Sequence, residues 1–175
     1  MSPSHISACL DDDKSETLNR SLAVVVGGFQ RGTLISKAES QFLEYGSRIQ
    51  DFVHTKGLSL ASVGDEVSLN FCDINFGYID EYEKLLRETS LIIIPTSLGW
   101  GFKTKIADAI TLHQGVIVHR RLYDRLGDWK KMVTPIDNWG EISNLNLKEI
   151  SHREYADFID SLRIQRENYF IKMLK

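Results

Sequence analysis

The chain has 175 residues, 42% of them apolar, with 24 acidic and 21 basic side chains and a net charge of −3. That length and apolar content suit one domain with its own core, or one large half of a two-domain enzyme. The acidic balance argues against a general nucleic-acid binder, which needs a basic face.

The two cysteines, Cys9 and Cys72, form no Cys-x-x-Cys pair. Neither a disulfide scaffold nor a zinc site is expected, and a reducing cytoplasm is the default setting. The first residues lack a signal-peptide pattern, and no apolar run is long enough to span a bilayer. Any membrane contact would be peripheral, at the inner face and through a partner.

Residues 1–20 are polar and aperiodic and read as a tail or linker, ahead of one domain over 21–175. Asp11-Asp12-Asp13 contains the Asp-x-Asp spacing of metal-dependent sugar transferases. Such carboxylates sit at a strand end, and these precede the first strand, so a solvated acidic linker is the reading. Leu22 to Gly28 is a buried strand ending in glycines, followed by Phe29-Gln30-Arg31-Gly32-Thr33. The glycine spacing resembles a P-loop, but Thr33 stands where its lysine would be, and Phe29 spoils the dinucleotide fingerprint. Two readings stay open. The glycines either bring backbone N–H groups toward a phosphate or sugar, or make a tight turn that needs positive φ.

Leu34 to His54 has helical periodicity, loosened near Gly46, with Gly57 as a stop. Leu58 to Val63 and Val67 to Cys72 read as two short strands, Asn75 to Tyr78 as a loop, and Ile79 to Thr89 as a short helix with Tyr82, Leu85 and Leu86 inward. A wholly apolar strand at 91–95 leads through the turn 96–101 into a helix over 102–113. Gly115 closes that helix, and a strand at 116–118 follows. Arg120, Arg121 and Arg125 come after that strand. Pro135 to Trp139 reads as a loop and His152 to Lys175 as a closing helix. Alternating strands and helices predict an α/β fold, a Rossmann-like open parallel sheet with helices on both faces.

The chemistry concentrates in Gly99-Trp100-Gly101-Phe102-Lys103-Thr104-Lys105-Ile106-Ala107-Asp108. The glycines allow a close approach to the backbone, and a helix start offers free N–H groups and the positive end of a dipole. Two lysines at that end oppose the dipole, a conflict that an anion such as a diphosphate would resolve. Asp108 lies about one turn beyond Lys105 on the same face, where a carboxylate could accept hydrogen bonds from ribose hydroxyls. The bland alternative is a solvated helix with Lys105 and Asp108 as a surface pair worth little. His113 and Gln114, at the helix end, suit capping. His119 ends the next strand beside Arg120 and Arg121, and a surface role outweighs a phosphate contact. Trp100 suits ring stacking or packing about equally, and Trp129 and Trp139 suit packing. The dispersed histidines suggest no metal site.

The segment Leu91 to Pro95, the turn and helix from Gly99 to Ile110, and Gly115 to Val118 resemble the donor-binding half of GT-B glycosyltransferases of the group 1 type. Val24 to Phe29, Ser62 to Gly64 and Gly77 to Thr89 extend the resemblance over roughly Leu22 to Arg125. It implies a nucleoside-diphosphate sugar as donor and synthesis of a polysaccharide or glycoconjugate. It implies Lys105, with Lys103 second, as the catalytic cations on the diphosphate, and Asp108 on the ribose. Gly99, Trp100, Gly101 and Phe102 would face the donor, with Gly28 and Arg31 on the opposite wall. The chemistry of that family needs no metal ion, and no cofactor is implied.

Two departures stand out. Many retaining members carry an acid eight positions before the ribose acid, where this chain has Trp100. The acceptor-binding half, an N-terminal domain or a partner subunit in that family, is not among these residues, so the chain would be an excised domain, one subunit of a bipartite enzyme, or a remnant that binds without turnover. An exposed apolar patch flanking the strand carboxyl ends would mark a missing half. The alternative function is a non-catalytic Rossmann-like nucleotide-binding or interaction module that works through a partner.

Overall fold

Successive residues of an extended strand face opposite sides of a sheet, and β1 (Leu22–Val26) is buried on both. The computed structural model describes residues 20–26, 37–64, 69–80, 82–96 and 104–173. The other elements are α1 (Lys37–Glu44), α2 (Gly46–Thr55), β2 (Ser59–Val63), β3 (Ile74–Asn75), α3 (Tyr82–Arg87), β4 (Thr89–Ile94), α4 (Thr104–Thr111), β5 (Gly115–His119), α5 (Arg120–Tyr123), β6 (Thr134–Ile136) and α6 (His152–Met173). Two 3₁₀ helices, Gly127–Met132 and Trp139–Asn144, flank β6.

Among the described residues the strands form one sheet in the order β3-β2-β1-β4-β5-β6. Every neighbouring pair is parallel. Leu22, Val24, Val26, Ile92, Ile94, Val116 and Val118 face one layer, formed by α3, α4, α5 and α6. Ala23, Val25, Leu60, Leu91, Ile93, Ile117 and Ile136 face the other, formed by α1, α2 and the second 3₁₀ helix. Both faces are therefore dry, which is why these strands read as unbroken β-branched runs rather than alternating ones. This is the Rossmann-like α/β sheet that the alternation of elements predicts.

The chain runs outward from β1 through β2 to β3, then returns to place β4 on the other side of β1. That reversal is the switch point where open α/β sheets take ligands. Val25 pairs with Ile93, so the carboxyl ends of β1 and β4, Val26 and Ile94, lie side by side. The register slips at the amino ends of the two strands, between Leu22 and Ala23. Ser90 lies at this slip and donates through its hydroxyl to the Arg20 carbonyl at 2.7 Å.

The helical stretch breaks at Tyr45 into α1 and α2. Gly46 is buried there, and a Cβ on it would overlap the Phe71 ring. Gly57 ends α2 region with φ of +71°, as a glycine stop should.

Several expectations need correction. Residues 69–72 form no strand, and residues 65–68 lie outside the described set. Leu69, Phe71 and Cys72 instead pack their side chains into the core. The strand comes later, at Ile74–Asn75, and takes in the first residue of the expected loop. Side chains hold it. Asp73 accepts from the Leu60 N–H at 2.7 Å, and Asn75 Oδ1 accepts from the Ser62 hydroxyl at 2.5 Å and from the Leu69 N–H at 2.9 Å.

Thr89 belongs to β4 rather than to the helix before it, which ends at Arg87. Gly115 does not close α4 but begins β5, where a Cβ would lie 3.1 Å from Leu91 Cδ1. The left-handed residue after the helix is His113, with φ of +56°. Pro135 is not in a loop but in β6, the sixth strand. A proline is tolerated there because an edge strand needs ladder partners on one side only.

α6 opens with a capping box that spacing alone could have found. Glu154 Oε2 accepts from the Ser151 N–H at 2.8 Å, and the Ser151 hydroxyl accepts from the Glu154 N–H at 3.2 Å. The polar tail is expected over 1–20, and its residues 1–19, including Asp11 to Asp13, lie outside the described set.

Candidate functional site

Ile106, Ala109 and Ile110 of α4 are fully buried, the spacing of a helix that presses one face on a sheet. Lys105 and Asp108 are thereby left on the outer side, and both are exposed. In a parallel sheet the covering helices run back from the carboxyl edge, so the first turns of α3 and α4 both lie there. Tyr82 opens α3, and the Lys105 ammonium stands 4.2 Å from the centre of its ring. The electron-rich face of a phenol attracts a cation at that distance.

Three groups interact electrostatically at this point. Loss of hydration lowers the Lys105 pKa, and the Asp108 charge opposes that lowering. Burial pushes the Tyr82 phenol up to about 12, and the Asp108 charge adds to the effect. Although Lys105 is exposed overall, the ring covers one side of its ammonium. The Tyr82 hydroxyl oxygen is itself buried and has no hydrogen-bond partner among the described residues. Sequence spacing pairs Lys105 with Asp108, and the structure keeps them together. Tyr82 is the member that sequence reading assigned only to packing, because β4 separates it from Lys105 and nothing in the chain's spacing connects them.

The remaining expected site residues, Gly28, Arg31, Gly99, Trp100, Gly101, Phe102 and Lys103, lie outside the described residues. They belong to the two segments that follow β1 and β4, the strands flanking the switch point.

His119 is buried rather than on the surface, 8% exposed. Its Nδ1 accepts the Arg121 N–H at 3.2 Å and so caps α5. Desolvation lowers its pKa, Arg121 adds to this, and Asp137 opposes it. Arg120 forks onto Asp137 at 3.0 and 3.2 Å. His119 and Arg120 are thus engaged with the protein itself. Trp139 is fully buried against Phe42, and Trp129 packs edge-on against Phe158. Both are packing residues, as expected.

A groove of about 280 Å³ lies between the first 3₁₀ helix and α6, with Lys131, Lys148, Glu154 and Asp157 among its walls. It sits beside the amino end of β6, at the edge of the sheet opposite Lys105. Among the described residues no three histidine, cysteine or carboxylate side chains gather as metal ligands. No helix among them is long and apolar enough to cross a membrane.

No protein-family model matches the chain, and no curated protein matches it in sequence. Solved structures do match in fold. One is HepE of Anabaena, crystallised with UDP and glucose, at a TM-score of 0.45 and 13% identity over 82% of this chain and 42% of that one. This chain thus spans less than half the length of that protein.

Proposed function

We propose that this chain is the donor-binding half of a GT-B-type glycosyltransferase, one that holds a nucleoside-diphosphate sugar for transfer in polysaccharide or glycoconjugate synthesis. The observation that carries the reading is the position of Lys105 and Asp108. They stand one turn apart on the helix that follows β4, and β4 borders the switch point. Gly28, Gly99 and Gly101 lie outside the described residues, in the segments that follow β1 and β4 along the chain.

The chemistry follows from charge. When the bond between the anomeric carbon and the diphosphate oxygen breaks, its electron pair stays on that oxygen. Lys105, with Lys103 and the amino end of α4, would stabilise the charge that develops, with no divalent ion required. Asp108 would accept hydrogen bonds from the ribose hydroxyls and fix the nucleoside. The acceptor and any base that activates it would come from a second domain or a partner subunit. Phe76 and Tyr78, 39% and 73% exposed just beyond the end of β3, support a surface that such a half would cover. The same exposure also suits the alternative, a nucleotide-binding module that acts only through its partner.

Calorimetric titration with UDP, GDP and ADP and their sugars, with and without magnesium, tests the proposal. Metal-independent binding of one nucleoside diphosphate is the expected result and names the base. Absence of binding to all of them defeats the donor-site reading and leaves the interaction module.

A further inference from the structure

Among the described residues nothing pairs with the Tyr82 hydroxyl. The residue packs against the core layer that contains Leu85 and Leu86, and its oxygen is buried without a partner among those residues. Phenylalanine would give the same ring packing without a buried hydroxyl, whose burial is unfavourable where no partner meets it. The ring nevertheless has a contact of its own, the Lys105 ammonium at 4.2 Å from its centroid. A lysine on an exposed helix face ordinarily samples many rotamers. Here an aromatic face selects one of them.

We infer that Tyr82 is a positioning residue for Lys105: its ring holds the ammonium at the carboxyl edge of the sheet, beside the end of β4, ready for the anionic part of a ligand. A cation already in place loses less side-chain freedom when the anion arrives. The ring does not trap it, because a charge-assisted bond to a phosphate oxygen is stronger than contact with an aromatic face. The ligand half of this inference rests on the donor-site reading, whereas the ring-to-ammonium half stands without it.

The test separates the two. Lysines are reductively methylated with ¹³C, and the Lys105 signal is assigned as the one lost in Lys105→Arg. A methyl group over a ring face resonates upfield. The expected result is an upfield Lys105 signal in the wild type and in Tyr82→Phe that moves to the position of exposed lysines in Tyr82→Leu. UDP affinity should fall about two- to fivefold in Tyr82→Leu and stay unchanged in Tyr82→Phe. A Lys105 signal that is not upfield, or that ignores Tyr82→Leu, overturns the inference even if UDP binds. A ring-dependent signal without nucleotide binding keeps the positioning role and defeats the donor reading. Should Tyr82→Leu fail to fold, the wild-type shift decides alone.

Discussion

His113 and His152 set their Nδ1 atoms 2.8 Å apart. One of the two must donate and the other accept, so the contact suits a pair that is not doubly charged. Tyr155 stacks on the His113 ring, and Arg20 donates to the His113 carbonyl at 3.4 Å. The start of α6, the turn after α4 and the approach to β1 therefore meet at this pair. Desolvation lowers the His113 pKa, and the charges of His152 and Arg20 lower it further.

The sign of the pH effect follows from that lowering. The unfolded chain takes up a proton near pH 6.5 while the folded chain resists it. The stabilisation is therefore complete above about pH 6.5 and is lost as pH falls through the lower folded value. His119 adds to the trend, since burial lowers it as well. His113→Asn, a residue that tolerates the left-handed backbone, should flatten the fall in Tm between pH 7 and pH 5 without abolishing it. The difference should be on the order of 1 kcal/mol or less. Melting curves across that range read it, and identical slopes for wild type and variant would show that His113 does not titrate as described.

Gly46 and Phe71 form a close contact of another kind, since the ring occupies the space a Cβ would need. Gly46→Ala should destabilise the protein by roughly 1–3 kcal/mol, against the usual gain from alanine in a helix. The midpoint of urea unfolding measures the change. In the Phe71→Ala background the penalty should disappear, because the ring that clashes is gone.

The parts of the fold that were legible are those written in apolar runs. β1, β4 and β5 are buried on both faces, and no other element type suits Leu91 to Ile94 between two turns. β3 and β6 were illegible for two different reasons. β3 is two residues held by the side chains of Asp73 and Asn75, which carry no periodicity. β6 contains Pro135, and proline argues for a loop unless the strand is already known to be at an edge. The pairing of Lys105 with Asp108 was legible from helical spacing. Tyr82 was not, because only the crossover from β3 to β4 brings its ring under the lysine.

Asp73 should prove the most sensitive carboxylate in the described fold. It accepts from Gln50 Nε2 at 2.7 Å, the His54 ring at 2.9 Å and the Leu60 N–H at 2.7 Å. Desolvation alone would raise its pKa, but the bonds from His54, Leu60 and Gln50 outweigh it and the net shift is downward. Its contribution is therefore present above the ordinary carboxylate range, near pH 4, and is lost as pH falls through the depressed folded value. Asp73→Asn keeps the shape but weakens the acceptor. It should cost about 1–2 kcal/mol at pH 7 and less at pH 3. Unfolding at the two pH values gives the comparison, and an equal loss at both would remove the charge from the explanation.

Lys105→Ala and Asp108→Ala should divide the proposed donor between them. A lysine that meets the diphosphate should matter for UDP and little for uridine. An aspartate that accepts from ribose hydroxyls should matter for both, and should lose its effect on a 2′,3′-dideoxy nucleotide. Charge-assisted bonds of this kind contribute about 1.5–3 kcal/mol, so each alanine should weaken its own ligand by roughly ten- to a hundredfold. The exposed position of both side chains lets these variants fold normally, so calorimetry reads binding rather than damage. Asp108→Ala carries one further consequence. The Asp108 charge raises the Lys105 pKa, so its removal should lower the lysine and shift the loss of diphosphate binding to a lower pH. Unchanged affinities for UDP in both variants would mean that the helix after β4 does not hold the donor.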